Sequence, residues 1–317
     1  MAALRGKALI AYLLVCVVWG STYLFIRIGV DHHLPPFLFA GVRFLTAGLL
    51  LGGIMLALGT RLPSRGHDWR TLAITGICLL CGANAMVVWA EQYVASGVAS
   101  VLVSAMPLWS ALFDAVIPGG KTPVTWRLGV GLIIGFAGTA LLAGITPHEL
   151  ASADLRGPIA LTLGSASWAL GSIYWKRNPT TGVSLYVAAA AQMAIAGALL
   201  CVFGLAIGEA PRFQFDGPAL GAMAYLIAIG SIVGYTAFGY ALEHGPAAVV
   251  GTYAYVNPVV AVLLGWLVLS EPITGRMLAA MALILGSVLW IQLAGRPAAR
   301  SERPVRALER RRPADAA

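Results

Sequence analysis

The sequence predicts an all-α polytopic membrane protein of ten transmembrane helices, arranged as two inverted five-helix repeats. Three observations carry this. First, 59% of the 317 residues are hydrophobic and only 11% are charged, where an ordinary soluble domain is about 25% charged. Ten of the charged residues crowd into residues 296–317, which leaves the body poorer still. Such a body cannot clothe itself in solvated side chains, so a soluble globular enzyme is excluded. Second, apolar runs follow one another, each of about 20 residues and near the length that crosses roughly 30 Å of hydrocarbon. Third, the chain repeats itself at a fixed offset.

The apolar runs occupy 8–30, 36–58, 71–90, 98–118, 128–145, 158–175, 183–207, 219–242, 247–269 and 277–294. They are continuous rather than alternating, which speaks for helices and against barrel strands. The first is too long for a signal-peptide core, and no small-residue cleavage site precedes the second. Span one carries Trp19 and Arg27, and span two opens behind Pro35-Pro36 and carries Arg43. Span three holds Cys78 and Cys81 and runs out at Glu91, and span four holds Pro107 and Asp114. Span five has Gly131-x-x-x-Gly135, span six Trp168, and span seven Gln192 with Ala196-Gly197. Span eight ends near Ala241, span nine contains Tyr253, Asn257 and Pro258, and span ten has Ala282-x-x-x-Gly286.

Trp19 and Trp168 lie 149 residues apart, and the same offset pairs Arg27 with Lys176, Arg43 with Gln192 and Ala47-Gly48 with Ala196-Gly197. Further on the offset is 151, pairing Ala90 with Ala241, Pro107 with Pro258 and Gly135 with Gly286. An odd number of helices per half makes the second half enter from the opposite side. Inverted repeats of this kind recur in secondary transporters, with binding at the midplane between the halves.

Lys and Arg fix the orientation. With the N-terminus inside, 16 of the 21 basic residues fall on inner segments and three, Arg156, Arg212 and Arg276, on outer loops. Both termini are therefore expected in the cytoplasm. The divisions are residues 1–150, a first repeat; 151–295, a second; and 296–317, a basic cytoplasmic tail expected to be disordered. The net charge of +8 could suggest nucleic acid, but its placement does not: it sits on inner loops and the tail, where it sets orientation and can touch anionic lipid.

The stretch Trp19-Gly20-Ser21-Thr22-Tyr23, then Pro35-Pro36 with Gly41-Val42-Arg43-Phe44, and Gly97 through Pro107, resembles the first half of EamA-type transporters of the drug/metabolite transporter superfamily. Gly164-Ser165-Ala166-Ser167-Trp168-Ala169 resembles the opening of the second repeat. Thr252-Tyr253-Ala254-Tyr255-Val256-Asn257-Pro258-Val259-Val260, followed by Gly265 and Glu271, is the most specific stretch. The resemblance runs from about residue 8 to 294 and is closest to the drug/metabolite exporter branch. It implies two five-helix halves, a central cavity, and export of small metabolites, amino acids or drugs across the inner membrane. One departure is visible: the position matching Glu271 is Gly120, where first halves often carry an acid.

Candidate site residues follow from chemistry. Pro107 and Pro258 sit mid-span and free the carbonyls of Val103 and Ala254; such helices either line a cavity or merely kink. Tyr253 and Asn257, four apart, share a face, offering neutral hydrogen bonds to a substrate or glue between helices. Trp19 and Trp168, about ten residues inside their spans, suit a stacking wall. Arg43 lies about 10 Å into the membrane, where a charge is a functional candidate. It would pair with Glu91, bind a substrate carboxylate, or snorkel. Asp114 is the candidate proton-coupling acid, or a solvated interfacial residue. No span has a central carboxylate otherwise, so neutral or zwitterionic substrates fit better than cations.

Other signals are weak. The four cysteines fall in apolar runs and suit packing. Asp31-His32-His33 lacks further metal ligands, no P-loop encodes ATP drive, and no cofactor is expected. The expected partners are a small-molecule substrate and the lipid bilayer, with no nucleic acid. The small-residue faces in spans five and ten let helices approach within the fold or between subunits of a homodimer. The leading expectation is a secondary exporter working by alternating access. An intramembrane lipid-modifying enzyme would need a carboxylate, His or Cys constellation that does not appear, and an adaptor would depend on the arginine tail.

Overall fold

The computed structural model describes residues 5–120, 124–143, 154–244, 250 and 252–294. These form helical rods, with no strand among the described residues: α1 (Gly6–Asp31), α2 (Pro36–Ala57), α3 (Gly66–Ala90), α4 (Ser96–Val116), α5 (Trp126–Ala143), α6 (Arg156–Arg177), α7 (Leu185–Ala206), α8 (Gly217–Ala241), α9 (Tyr253–Leu269) and α10 (Gly275–Ala294). Six of them, α1 to α4, α7 and α8, are long and apolar enough to cross a membrane. Helices α5, α9 and α10 are apolar but shorter in their described parts. Helix α6 is long but polar, with Ser165, Ser167, Ser172 and two basic residues at its end. The expected start of span nine at 247–249, the last residues of span five at 144–145 and the tail at 296–317 lie outside the described residues.

Several rods outrun the apolar runs by a turn or less. Helix α3 begins five residues early, at Gly66, with an exposed first turn in which one polar side chain is tucked inward. Asp68 is buried there and accepts the Thr181 N–H at 3.3 Å.

The principal packing partners are α2 with α7, α5 with α10, α1 with α8 and α9, α6 with α3 and α4, α3 with α7, α2 with α8, and α4 with α9. This set is unchanged when each helix is exchanged for its counterpart five places along. The tightest contact is α2 on α7. A Cβ on Gly48 would fall 2.4 Å from the backbone nitrogen of Ala194, and one on Gly197 would fall 2.2 Å from that of Leu45. Backbone therefore touches backbone, flanked by the buried Phe39, Phe44, Ala47, Met193 and Ala196. Such small-residue crossings are what hold helices together where lipid removes the hydrophobic drive.

Two helices contain a π-helical turn, Ile77–Asn84 in α3 and Leu226–Val233 in α8, placed 149 residues apart. A π-turn shifts the ladder by one residue and frees carbonyls for other donors. Ser167 Oγ of α6 donates to the Cys78 carbonyl at 2.9 Å. Trp19 Nε1 of α1 donates to the Gly230 carbonyl at 3.2 Å. Each wide turn is thus stitched to the first helix of the other half.

The matched prolines behave differently. Helix α4 is interrupted at Ser104-Ala105, just before Pro107, by three-residue turns from Ser104 N–H to the Val101 carbonyl and from Ala105 N–H to the Leu102 carbonyl. Helix α9 runs unbroken through Pro258. Pro107 opens a new helix segment, where its missing N–H costs nothing, whereas Pro258 lies within one.

Asp31, Glu91, Asp154, Glu209, Asp216 and Glu271 mark one end of the bundle, called here the acidic end; Lys7, Arg61, Arg65, Arg70, Arg127, Lys176 and Arg177 mark the other, basic end. At the acidic end two glutamates cap helices from the opposite half. Glu209 accepts from the N–H of Leu38 at 2.7 Å, at the start of α2. Ser270, in the left-handed region at φ 55°, ends α9 and folds Glu271 back onto α4. There Glu271 accepts from the N–H of Ser96 at 2.8 Å and of Gly97 at 3.0 Å, a carboxylate meeting the positive end of a helix. Outside the spans, Asp216 caps α8 through the Ala219 N–H at 2.9 Å and also meets His32. These two contacts hold its carboxyl below its usual pKa range, the Ala219 N–H contributing most. The Gly131 and Gly135 face is filled by Ile291 and Ser287 of α10 and Leu108 of α4, so those small residues serve contacts within the chain.

Gly48→Ala should lower the stability of the purified protein in detergent by about 1–3 kcal/mol or more, since backbone must move to admit the methyl. Gly53→Ala, with nothing within 4 Å of its Cβ position, should be neutral or slightly stabilising. Thermal unfolding of the two variants side by side checks this; equal melting temperatures would contradict the backbone contact.

Candidate functional site

Between the halves lies a cavity with about 100 Å³ of space for water-sized molecules. Its walls come from α1, α2, α3 and α4 of the first half and from α6, α8 and α9 of the second. Apolar surface is provided by Ile26, Val87, Val103, Met106 and Leu161, and polar groups by Thr22, Ser100, Ser104, Ser165 and the tyrosines Tyr23, Tyr235 and Tyr253. A mostly apolar chamber with few convergent polar groups is the usual form of a small-molecule site.

Six residues singled out in the sequence meet here: Trp19, Arg43, Trp168, Tyr253, Asn257 and Pro258. Pro107 does not line the cavity, although its neighbour Met106 does. Asp114 is also outside it, half-buried two residues before α4 ends at Val116.

Arg43 is 4% exposed, so it does not snorkel. Its Nε donates to Ser231 Oγ at 3.1 Å, and its guanidinium carbon stands 4.7 Å from the centroid of the Phe44 ring. Its Nη1 is buried without a hydrogen-bond partner. The expected ion pair with Glu91 is not formed, because the side chain runs toward the π-turn of α8. Glu91 is itself fully buried, with both carboxyl oxygens unpartnered. Gln192, the counterpart of Arg43 in α7, reaches the other way and donates from Nε2 to Thr75 Oγ1 at 3.1 Å, just before the π-turn of α3.

Trp19 stands in an aromatic cluster, its ring centroid 5.3 Å from Tyr235, 5.0 Å from Phe238 and 5.0 Å from Tyr253. Its indole N–H is spent on Gly230, so it presents ring surface rather than a donor. Trp168 is half-buried, and its indole N–H makes no hydrogen bond to the described residues. Asn257, with its amide nitrogen turned toward the two carbonyls it faces, donates to Tyr253 at 3.2 Å and to Cys16 of α1 at 3.1 Å. It ties α9 to α1 while lining the cavity, so glue and wall are one residue. The hydroxyls of Tyr235 and Tyr253 have no hydrogen-bond partner among the described residues.

Sequence reasoning missed Ser231, Tyr235, Ser165 and the burial of Glu91. Ser231 sits in a run of apolar residues, and only a π-turn explains why it faces Arg43. Ser165 lies in the Gly-Ser-Ala-Ser stretch already noted, and its Oγ is buried without a partner on the cavity wall.

The sequence profile of the EamA-like transporter family matches residues 6–144 and again 155–293. The chain is 37% identical over 278 residues to the uncharacterized inner membrane transporter YedA of Escherichia coli (strain K12), covering 87% of this chain and 88% of that one. It is 28% identical to the uncharacterized transporter YvbV of Bacillus subtilis (strain 168), covering 90% of each. It is 26% identical to a probable terminal-alkyne amino-acid exporter of Streptantibioticus cattleyicolor, covering 84% of this chain and 86% of that one. A solved crystal structure shares the fold with a TM-score of 0.63 at 21% identity, over 92% of this chain and 98% of its own.

Ser231→Ala strips Arg43 of its side-chain hydrogen bond and should cost about 1–3 kcal/mol of stability. In an Arg43→Met background the same change should cost little, because the partner is gone. A double-mutant cycle by thermal unfolding measures the coupling; strictly additive losses would contradict the contact.

Proposed function

The chain belongs to the EamA-like transporter family, and from that premise we propose that it is a secondary-active exporter. It carries a small metabolite, amino acid or drug out across the cytoplasmic membrane by alternating access. All ten rods span the bilayer as two inverted repeats, with both termini and the basic end in the cytoplasm. The symmetric packing set, the π-turns 149 residues apart and the two matched stretches of the family profile support the repeat. The concentration of basic residues at one end supports the orientation. The name of the Streptantibioticus relative supports export.

The observation that carries the reading is the cavity walled by both halves, with Arg43, whose Nη1 is buried and without a partner, among its lining residues. A buried guanidinium with an unused donor is costly unless a ligand completes it. A carboxylate on the substrate does so, with the Tyr235 and Tyr253 hydroxyls at hand and Trp19 and Trp168 against its apolar part. Rocking of the halves about the α2–α7 crossing opens this chamber to either end in turn. The break in α4 at Ser104-Ala105 gives that motion a place to bend without breaking a regular ladder.

A resistance screen with overexpression against metabolites and toxins, followed by counterflow in liposomes, tests the assignment. Arg43→Ala should lower counterflow about 10- to 100-fold, the worth of a charged hydrogen bond of roughly 1.5–3 kcal/mol. Tyr253→Phe and Asn257→Ala should lower it about 2- to 10-fold, all three inserting normally. Wild-type flux in all of them would remove the cavity from the transport path.

A further inference from the structure

Glu91 follows the last residue of α3. Its side chain has 0% exposure, and neither Oε1 nor Oε2 has a hydrogen-bond partner. Arg27 approaches, but its Nη1 goes to the backbone carbonyl of Glu91 and its guanidinium pairs with Asp31 at 2.9 Å. The other charged or titratable groups around Glu91 are Tyr23 of α1, Arg43 of α2 and Glu271 from the segment after α9. Glu271 is committed to the start of α4, and Arg43 to Ser231.

The position is as telling as the lack of partners. One turn before Glu91, Val87 lines the central cavity together with Tyr23 and Arg43. Immediately after it, Gln92 and Tyr93 line a separate pocket at the acidic end with Arg27, Asp31 and Glu271. Glu91 therefore stands in the wall between the substrate chamber and that pocket. An ionised carboxylate without donors costs several kcal/mol to bury, and a group so placed stays neutral by holding a proton.

We propose that Glu91 is a proton-binding site of the transport cycle. It holds one proton while the wall is closed. It gives that proton up to water when the wall opens, becoming a carboxylate that the unspent Nη1 of Arg43 can meet. The same donor serves a substrate carboxylate, so the ionised Glu91 and an anionic substrate group compete for one arginine, and binding of such a substrate goes with binding of a proton at Glu91. This role in a cycle rests on the exporter reading; the bound proton does not.

The test therefore has two arms. Infrared difference spectra of the purified protein in nanodiscs, titrated from acidic to alkaline pH, should show a protonated-carboxyl C=O band at neutral pH. Glu91→Gln should lose it, and Glu91→Asp should keep it shifted. A band unchanged in Glu91→Gln, or none in the wild type, overturns the proposal whether or not anything is transported. In liposomes with a trapped pH dye, a mixture of neutral L-amino acids is the probe. Wild-type protein should move protons with them and Glu91→Gln should fall to the level of empty liposomes. Amino-acid flux without proton movement in the wild type would also overturn it. No flux of either kind, with the band present, would count against amino-acid export and leave the proton site standing.

Discussion

The fold depends on one contact, the crossing of α2 and α7 at Gly48 and Gly197, where neither helix has room for a β-carbon. Backbone meets backbone there, and any side chain at these positions would push the two helices apart. Five residues before these glycines stand Arg43 and Gln192. From the crossing they reach in opposite directions, Arg43 to Ser231 in α8 and Gln192 to Thr75 in α3. The glycine contact thus sets where the charged residue of the cavity can go, and the π-turn of α8 offers it a partner.

In lipid every polar group needs an internal partner, and the structure shows how the debts are settled. Carbonyls freed by the π-turns take Trp19 and Ser167. The first N–H groups of α2 and α4 take Glu209 and Glu271 from the other half. Among the described residues, the buried side-chain atoms left without partners belong to Arg43, Thr71, Glu91 and Ser165. Arg43 and Ser165 line the central cavity, and Glu91 stands in the wall between it and the acidic-end pocket. Unsatisfied polarity is concentrated where a ligand or a proton would satisfy it.

Much of this was legible in the sequence because it rests on periodic or costly features. Apolar runs marked the rods, the 149-residue offset recurs in the spacing of the two π-turns, and a charge at Arg43 stood out among apolar residues. Six of the candidate site residues do converge on one chamber. What the sequence hid depends on local departures from the α-helical ladder. The π-turns leave no compositional mark, so Ser231 and Tyr235 were invisible as partners. Pro107 and Pro258 look equivalent in sequence, yet one starts a helix segment and the other sits within one. Glu91 looked like a loop acid at the end of a span, and only the packing of α1 and α2 around it reveals its burial. Glu271, whose first-half position is Gly120, caps α4, a role that its place after a span did not announce.

The central claim is that the two halves rock about the α2–α7 crossing and open the shared cavity at one end at a time. Pulsed electron–electron distance measurements test it most directly. Spin labels would sit at Gln92 and Gln214 at the acidic end and, separately, at Arg61 and Thr181 at the basic end, in protein with its four native cysteines replaced. In lipid, a shift in pH should lengthen one distance while it shortens the other. Distances that stay fixed at both ends, or that change together, would contradict the account.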